Sequence, residues 1–219
     1  MNEAIILDAV CTPRGRGRAD GSLHEVHPVD LLAGLMRAMQ QCNDLDTARV
    51  EDTIIGCVMP YGEQGGCIAK TAALRAGWNW QVPGVQLDRY CGSGLEAINI
   101  AAAKVRSGWE QLLVAGGVES MSRIAMGGAP GPRDTKPEMV FQLKPVPTGV
   151  AADLMATLDG RSREALDRYA LESQRRAAHA RASGYFAKSI VPVTDPNGLT
   201  ILAGSRRSAP TRRWRSSAR

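Results

Sequence analysis

The sequence predicts an α/β fold, a mostly parallel sheet with helices on both faces. Three observations carry that reading. Short apolar runs alternate with helical stretches through the first 118 residues, which is the order of βαβ units. Several of the helical stretches are rich in Ala and apolar on one side or nearly all round, as helices packed on a sheet are. The chain is 44% hydrophobic, and that fraction with its many Ala, Gly and Val residues suits a soluble α/β protein, while its 219 residues allow one large domain or one and a half small ones.

Taken in order, Ile5-Ile6-Leu7 with Ala9-Val10 reads as a buried first strand. An Arg/Gly-rich loop follows from Thr12 to Arg18. Its glycines at 15, 17 and 21 miss the G-x-G-x-x-G spacing, and no helix opens there, so it is not read as a nucleotide loop. Pro28 suits the first position of a helix reaching about Gln41, with Leu31, Leu32, Leu35, Met36 and Met39 at helical spacing toward the core. Thr53 to Met59 reads as a second strand, and Gly66 to Ala76 as a short Ala-rich helix capped by Gly77. Val85 to Leu87 is a third strand. The next helix carries Leu95, Ile98, Ala101, Ala102 and Val105, stops at Gly108, and is expected to be buried almost all round. Gln111 to Ala115 is a fourth strand. From about Arg123 the character changes. Residues 127–149 are rich in Gly and Pro and read as irregular loop. Ser162 then caps a long polar helix to about Ser183, ended by Gly184. Its arginines read as a solvated face, above a narrow apolar stripe of Leu166, Tyr169, Ala170, Ala177 and Ala180. Ile190-Val191-Pro192-Val193 reads as an edge strand.

Cys91 falls where this organisation would place chemistry. It lies in Asp88-Arg89-Tyr90-Cys91-Gly92-Ser93-Gly94-Leu95, between the third strand and the helix after it. Open α/β sheets bind ligands beyond the C-terminal ends of their strands. Unpaired N–H groups at a helix N-terminus favour a thiolate, and Arg89 adds positive charge. Gly92 and Gly94 leave room for a substrate carbonyl to approach backbone amides. The local pattern leaves two readings open: a nucleophilic thiol, or a small buried apolar side chain.

Composition excludes several classes. The five cysteines (11, 42, 57, 67, 91) are scattered and never form Cys-x-x-Cys, which argues against a disulfide framework or a zinc site. His24, His27 and His179 read as surface residues rather than ligands, and no metal is expected. No apolar run reaches the roughly 18 residues of a membrane span, and Met1-Asn2-Glu3-Ala4 lacks the regions of a signal peptide. The chain is read as cytoplasmic, without a membrane partner. The formal charge of +5 comes from the last nineteen residues, which hold six arginines and no acid. Setting those six aside leaves 21 basic against 22 acidic residues, a net of −1. The basic balance therefore carries little argument for a specific nucleic-acid partner.

Several segments together resemble one family. Ala9-Val10-Cys11-Thr12-Pro13, Gly56-Cys57-Val58, Asp88 to Ile98, Gly116 to Arg123 (Gly-Gly-Val-Glu-Ser-Met-Ser-Arg), Ser162 to Ala178 and Ile190-Val191-Pro192-Val193 are similar to the N-terminal half of thiolases, the acetyl-CoA C-acyltransferases. They occur in that family's order over roughly residues 3–200. Asp88 stands where many thiolases have Asn, Gly92 where they have Ser or Ala, Glu96 where they have Gln, and Cys11 where Arg is common.

The resemblance implies a thiolase-like layered fold. Residues 1–118 would be an incomplete N-terminal core, 119–200 an inserted CoA-binding loop domain, and 201–219 an aberrant, disordered Arg/Ser-rich tail. It implies acyl-CoA acyl transfer, as thiolysis of 3-oxoacyl-CoA or condensation of acyl-CoA. Cys91 would be the nucleophile that carries the acyl group as a thioester, and its backbone N–H an oxyanion donor. Coenzyme A is then a co-substrate, with no bound cofactor, and no CoA-contacting residue is assigned. The intact family forms homodimers or tetramers. Its catalytic histidine, second cysteine and Asn motif lie in a C-terminal half, and this sequence carries no Gly-His-Pro or late Cys-x-Gly-Gly motif. The expectation is a truncated thiolase whose isolated chain is inactive, with an open sheet edge and an exposed apolar face, and a tail that reads like an out-of-frame translation.

Overall fold

The computed structural model describes residues 3–129 and 131–204. They fall into two compact units, 3–129 with 189–204 and 131–188.

The first unit is built on a three-stranded parallel sheet in the order β2-β1-β3, with β1 Asp52–Gly56, β2 Val85–Leu87 and β3 Leu113–Gly117. Ile54 stands opposite Val85 on one side and Ala115 on the other. β1 is buried at all five positions, so both of its faces are covered. Side chains alternate across a strand. Ile55 joins the main core with Leu32, Ala33 and Met36 of helix α1 (Pro28–Asn43) and Ile68, Ala69, Ala72 and Ala73 of α2 (Ile68–Arg75). The alternating residue Ile54 faces away from that cluster and is fully buried. Helix α3 (Ser93–Ser107) packs on β1 and β3. The α/β class and the parallel sheet are as the sequence indicates.

Local chemistry explains the boundaries. His27 Nδ1 accepts the Val29 N–H at the start of α1, and Pro28 occupies the first turn. The core face of α1 is Leu32, Ala33 and Met36, with Leu31, Leu35 and Met39 only half-buried. Gly77 has φ 81° just after α2, and Gly108 φ 79° ends α3, the left-handed conformation that glycine adopts without strain. At the other end of α3, Lys104 Nζ lies 2.6 Å from Asp52 Oδ2 and 2.9 Å from Glu110 Oε1. Burial alone would lower the Lys104 pKa, but the two carboxylates win and hold it above the usual lysine value.

Three expectations need correction. The predicted first strand does not form. Ile5, Ile6 and Leu7 are 72% to 77% exposed, and among the described residues this end of the chain pairs only through a parallel bridge from Cys11 to Ile190. An apolar run becomes a strand only where a neighbour satisfies its backbone. Helix α3 is not buried all round. Only Ser93 and Ala97 are buried, while Leu95 is 65% and Ile98 40% exposed. The small residues of its inner face pack on the sheet, and among the described residues its apolar outer face is uncovered. Finally, 127–149 is not wholly irregular. It holds α4 (Pro132–Thr135), α5 (Pro137–Leu143) and the start of α6 (Thr148–Leu158), prolines at 132 and 137 serving as helix starters.

In the second unit, α7 (Arg163–Ala182) begins where predicted, with Ser162 accepting the Ala165 N–H. None of its residues is buried. In the first unit, the segment after Ile190 forms β4 (Val193–Thr194), antiparallel to β5 (Thr200–Leu202). β5 thus takes in the first two residues of the segment read as a tail, and residues 205–219 lie outside the described residues.

Candidate active site

The C-terminal ends of β1 and β3 meet the first turn of α3, and their glycines allow it. A Cβ on Gly56 would lie 2.4 Å from the Ser93 carbonyl carbon and 2.7 Å from the Gly94 nitrogen. A Cβ on Gly117 would lie 3.1 Å from the Gly56 oxygen and 3.4 Å from the Gly94 Cα. The first turn of α3 therefore sits directly on the ends of β1 and β3, backbone against backbone.

Cys91 occupies the tight turn between β2 and α3, and it is exposed. The turn is closed by Gly92 N–H to the Arg89 carbonyl (3.2 Å) and Ser93 N–H to the Tyr90 carbonyl (3.0 Å). Those two amides are thus used by the turn itself. The remaining amides of the first helical turn belong to Gly94 and Leu95, and a Cβ at Gly94 would meet no atom within 4 Å. Tyr90 has φ 49°, a left-handed conformation that costs a non-glycine residue about 1 kcal/mol. Asp88 Oδ1 accepts the Tyr90 N–H at 2.8 Å, a role in which a carboxylate and an amide oxygen are interchangeable, so the Asp found here keeps the turn. Arg89 turns to Glu96, NH1 to Oε2 at 2.5 Å. Its charge is spent on that carboxylate rather than left as a free cation beside Cys91.

A buried polar network lies behind the strand ends. Gln64 is fully buried. Its Nε2 donates to Glu119 Oε1 (2.6 Å) and to the Met59 carbonyl (3.1 Å), and its Oε1 accepts the Ser120 N–H (2.6 Å). Gln86 Nε2 donates to the Gln64 carbonyl (2.7 Å), while Gln86 Oε1 accepts the Ile68 N–H at the start of α2 (2.9 Å). Glu119 Oε2 accepts the Val58 N–H. The loops after β1 and β3 and the start of α2 are thereby tied to β2, the strand that leads to Cys91. Cys57 is buried beside this network, and burial, with the Glu119 charge second, pushes its thiol up to about 11. It is a structural thiol.

The histidines are committed elsewhere. His24 Nδ1 donates to the Ser122 carbonyl at 2.9 Å, and the Arg123 guanidinium donates to the His24 carbonyl at 2.6 Å. His27 caps α1. Both are half-buried rather than surface residues. His179 lies on α7 of the second unit, with Tyr185 Oη 3.4 Å from its Nε2. Arg123 also clasps Glu63 through two hydrogen bonds, which hold the Glu63 carboxyl below the usual range. Among the described residues no group of three or more His, Cys, Asp or Glu is placed to hold a metal, and no helix is long and apolar enough to cross a membrane.

Sequence reading found Cys91 and its turn but missed Ser93, Gln64 and Gln86. Ser93 left a signal, a polar residue opening an otherwise apolar helix. Gln64 left little, because Gly-Glu-Gln-Gly-Gly reads as a loop.

The family model described as thiolase, N-terminal domain, matches residues 4–200. A steroid 3-ketoacyl-CoA thiolase of Mycobacterium tuberculosis is 36% identical over 95% of this chain and 54% of its own length. A 3-oxoadipyl-CoA/3-oxo-5,6-dehydrosuberyl-CoA thiolase of Escherichia coli is 39% identical over 92% of this chain and 54% of its own. A 3-ketoacyl-CoA thiolase of Bacillus subtilis is 36% identical over 88% and 49%. The chain spans about half the length of the curated relatives it matches.

Proposed function

The chain belongs to the thiolase family, and from that premise we propose that it carries the acyl-accepting half of a thiolase reaction, with Cys91 as nucleophile. The observation that supports this most is the placement of Cys91, an exposed thiol on a braced turn above the ends of a parallel sheet. The Cys91 sulfur attacks the thioester carbonyl of an acyl-CoA. A carbon–sulfur bond to Cys91 forms, the bond to the coenzyme A sulfur breaks, and the Cys91 proton leaves with the departing thiol. No electron is gained or lost. The backbone N–H of Cys91 serves the developing oxyanion. The relatives' names share 3-oxoacyl-CoA thioesters, which makes that the substrate class proposed here. With such a substrate the Cys91 sulfur attacks the C3 keto carbon instead, the C2–C3 bond breaks, and C2 takes the proton and departs within the shortened acyl-CoA. The thiol of coenzyme A, the co-substrate, then takes the acyl group from Cys91.

Full turnover also needs an acid/base pair. His24 and His27 are bound into the loop and helix start that they stabilise. The proposal is therefore that residues outside this sequence supply the pair, and that the chain alone accepts an acyl group without turning over. A second reading, a chain that binds acyl-CoA or a thiolase subunit without any chemistry, is favoured by the same commitment of the histidines. Incubation with acetyl-CoA and peptide mapping of the five cysteines separates the two. Acetylation confined to Cys91 supports the first, and an unmodified Cys91 the second.

A further inference from the structure

We propose that Ser93 is a positioning residue for Cys91. The inference rests on the reading of Cys91 as the nucleophile and adds the residue that holds it. Ser93 Oγ accepts the Arg89 N–H at 2.8 Å and donates to the Tyr90 carbonyl at 2.6 Å. One hydroxyl thus closes both ends of the stretch that precedes Cys91. Ser93 is 3% exposed, whereas Tyr90 is 73% exposed, so this bond pair is shielded from water while the residues it restrains are not. Hydrogen bonds removed from competing water hold geometry better than exposed ones.

The clamp has something to resist. Tyr90 sits at φ 49°, a conformation that persists only where its surroundings impose it. Asp88 fixes its N–H from one side, and Ser93, through both its hydroxyl and its N–H, fixes its carbonyl from the other. The clamp is also anchored. The Ser93 backbone rests on Gly56, where no Cβ would fit, so its hydroxyl refers the turn to the end of β1. Acyl transfer is sensitive to such placement, and a misplacement of about 1 Å costs about 100-fold.

The test uses the full chain and the variants Ser93→Ala, Ser93→Thr and Ser93→Ala with Tyr90→Gly. The readouts are amide hydrogen exchange at Arg89, acetylation of Cys91 by acetyl-CoA, and alkylation of Cys91 relative to Cys42, which is exposed on α1. In Ser93→Ala, exchange at Arg89 is expected to quicken and Cys91 acetylation to fall about tenfold or more, with Cys42 alkylation unchanged. Ser93→Thr keeps the hydroxyl and restores both. Tyr90→Gly removes the cost of the left-handed residue and restores part of the loss, and it supplies a folded background should Ser93→Ala alone fail to fold. Unchanged exchange at Arg89 overturns the clamp. Faster exchange with unchanged Cys91 acetylation overturns the positioning role. If the unsubstituted chain takes no acetyl group, the proposed function fails on its own. The alkylation ratio of Cys91 to Cys42 then decides, a fall in Ser93→Ala reversed by Ser93→Thr supporting the role and a constant ratio overturning it.

Discussion

Two of the five cysteines show how position decides what a thiol does. Cys91 is exposed on a turn, and Cys57 is buried behind the strand ends with its pKa raised to about 11. A thiol raised on folding is stabilising while it stays protonated. Its contribution is present below the unfolded value near 9 and is lost as pH rises toward 11. Folding stability is therefore expected to fall between these pH values by about 1.4 kcal/mol per unit from this group. Urea titrations of the parent and of Cys57→Ala check this, since the variant lacks that part of the slope. The Glu63 carboxyl, held down first by its hydrogen bonds to Arg123, has the opposite sign. Its contribution is lost as pH falls through its folded value, and Glu63→Gln is expected to flatten the acid side of the same curve.

At the level of elements, α3 is held at both ends by different means. Its first turn lies on Gly56 with no room for a methyl group. Gly56→Ala forces backbone apart and is expected to cost about 1–3 kcal/mol, while also loosening the Cys91 turn. Its last turns are tied by Lys104 to Asp52 and Glu110. Lys104→Met leaves two carboxylates facing each other in a largely buried site, an expected loss of about 3–5 kcal/mol by urea denaturation. The elements around Cys91 were legible because strands and helices there carry local signals: Val85 to Leu87 and the glycine stops at 77 and 108. In the second unit, the cap at Ser162 marked the start of α7 in the same way. What the sequence did not disclose depends on partners distant in the chain. Ile5-Ile6-Leu7 has the composition of a strand but finds no ladder to join among the described residues. The outer face of α3 has the composition of a buried surface but is left open by the described residues. The Gln64 network joins residues 22 and 55 positions apart, a separation no periodicity reveals.

Over the whole molecule, the described residues leave apolar surface uncovered. Leu95 and Ile98 lie one helical turn apart and are exposed, and apolar surface of this kind drives association. The purified chain is expected to self-associate in sedimentation experiments, and Leu95→Glu with Ile98→Lys to shift it toward smaller species while leaving the Lys104 and Gly56 contacts intact. An unchanged distribution would place the sticky surface elsewhere. The family membership, the parallel sheet and the cysteine turn form one account, in which Cys91 receives the acyl group. The most direct measurement is mass spectrometry of the chain after incubation with acetyl-CoA, with Cys91→Ala alongside. The expected result is one acetyl group on Cys91, released by hydroxylamine and absent from the variant. An unmodified Cys91, or acetylation spread equally over Cys11, Cys42 and Cys91, would contradict it.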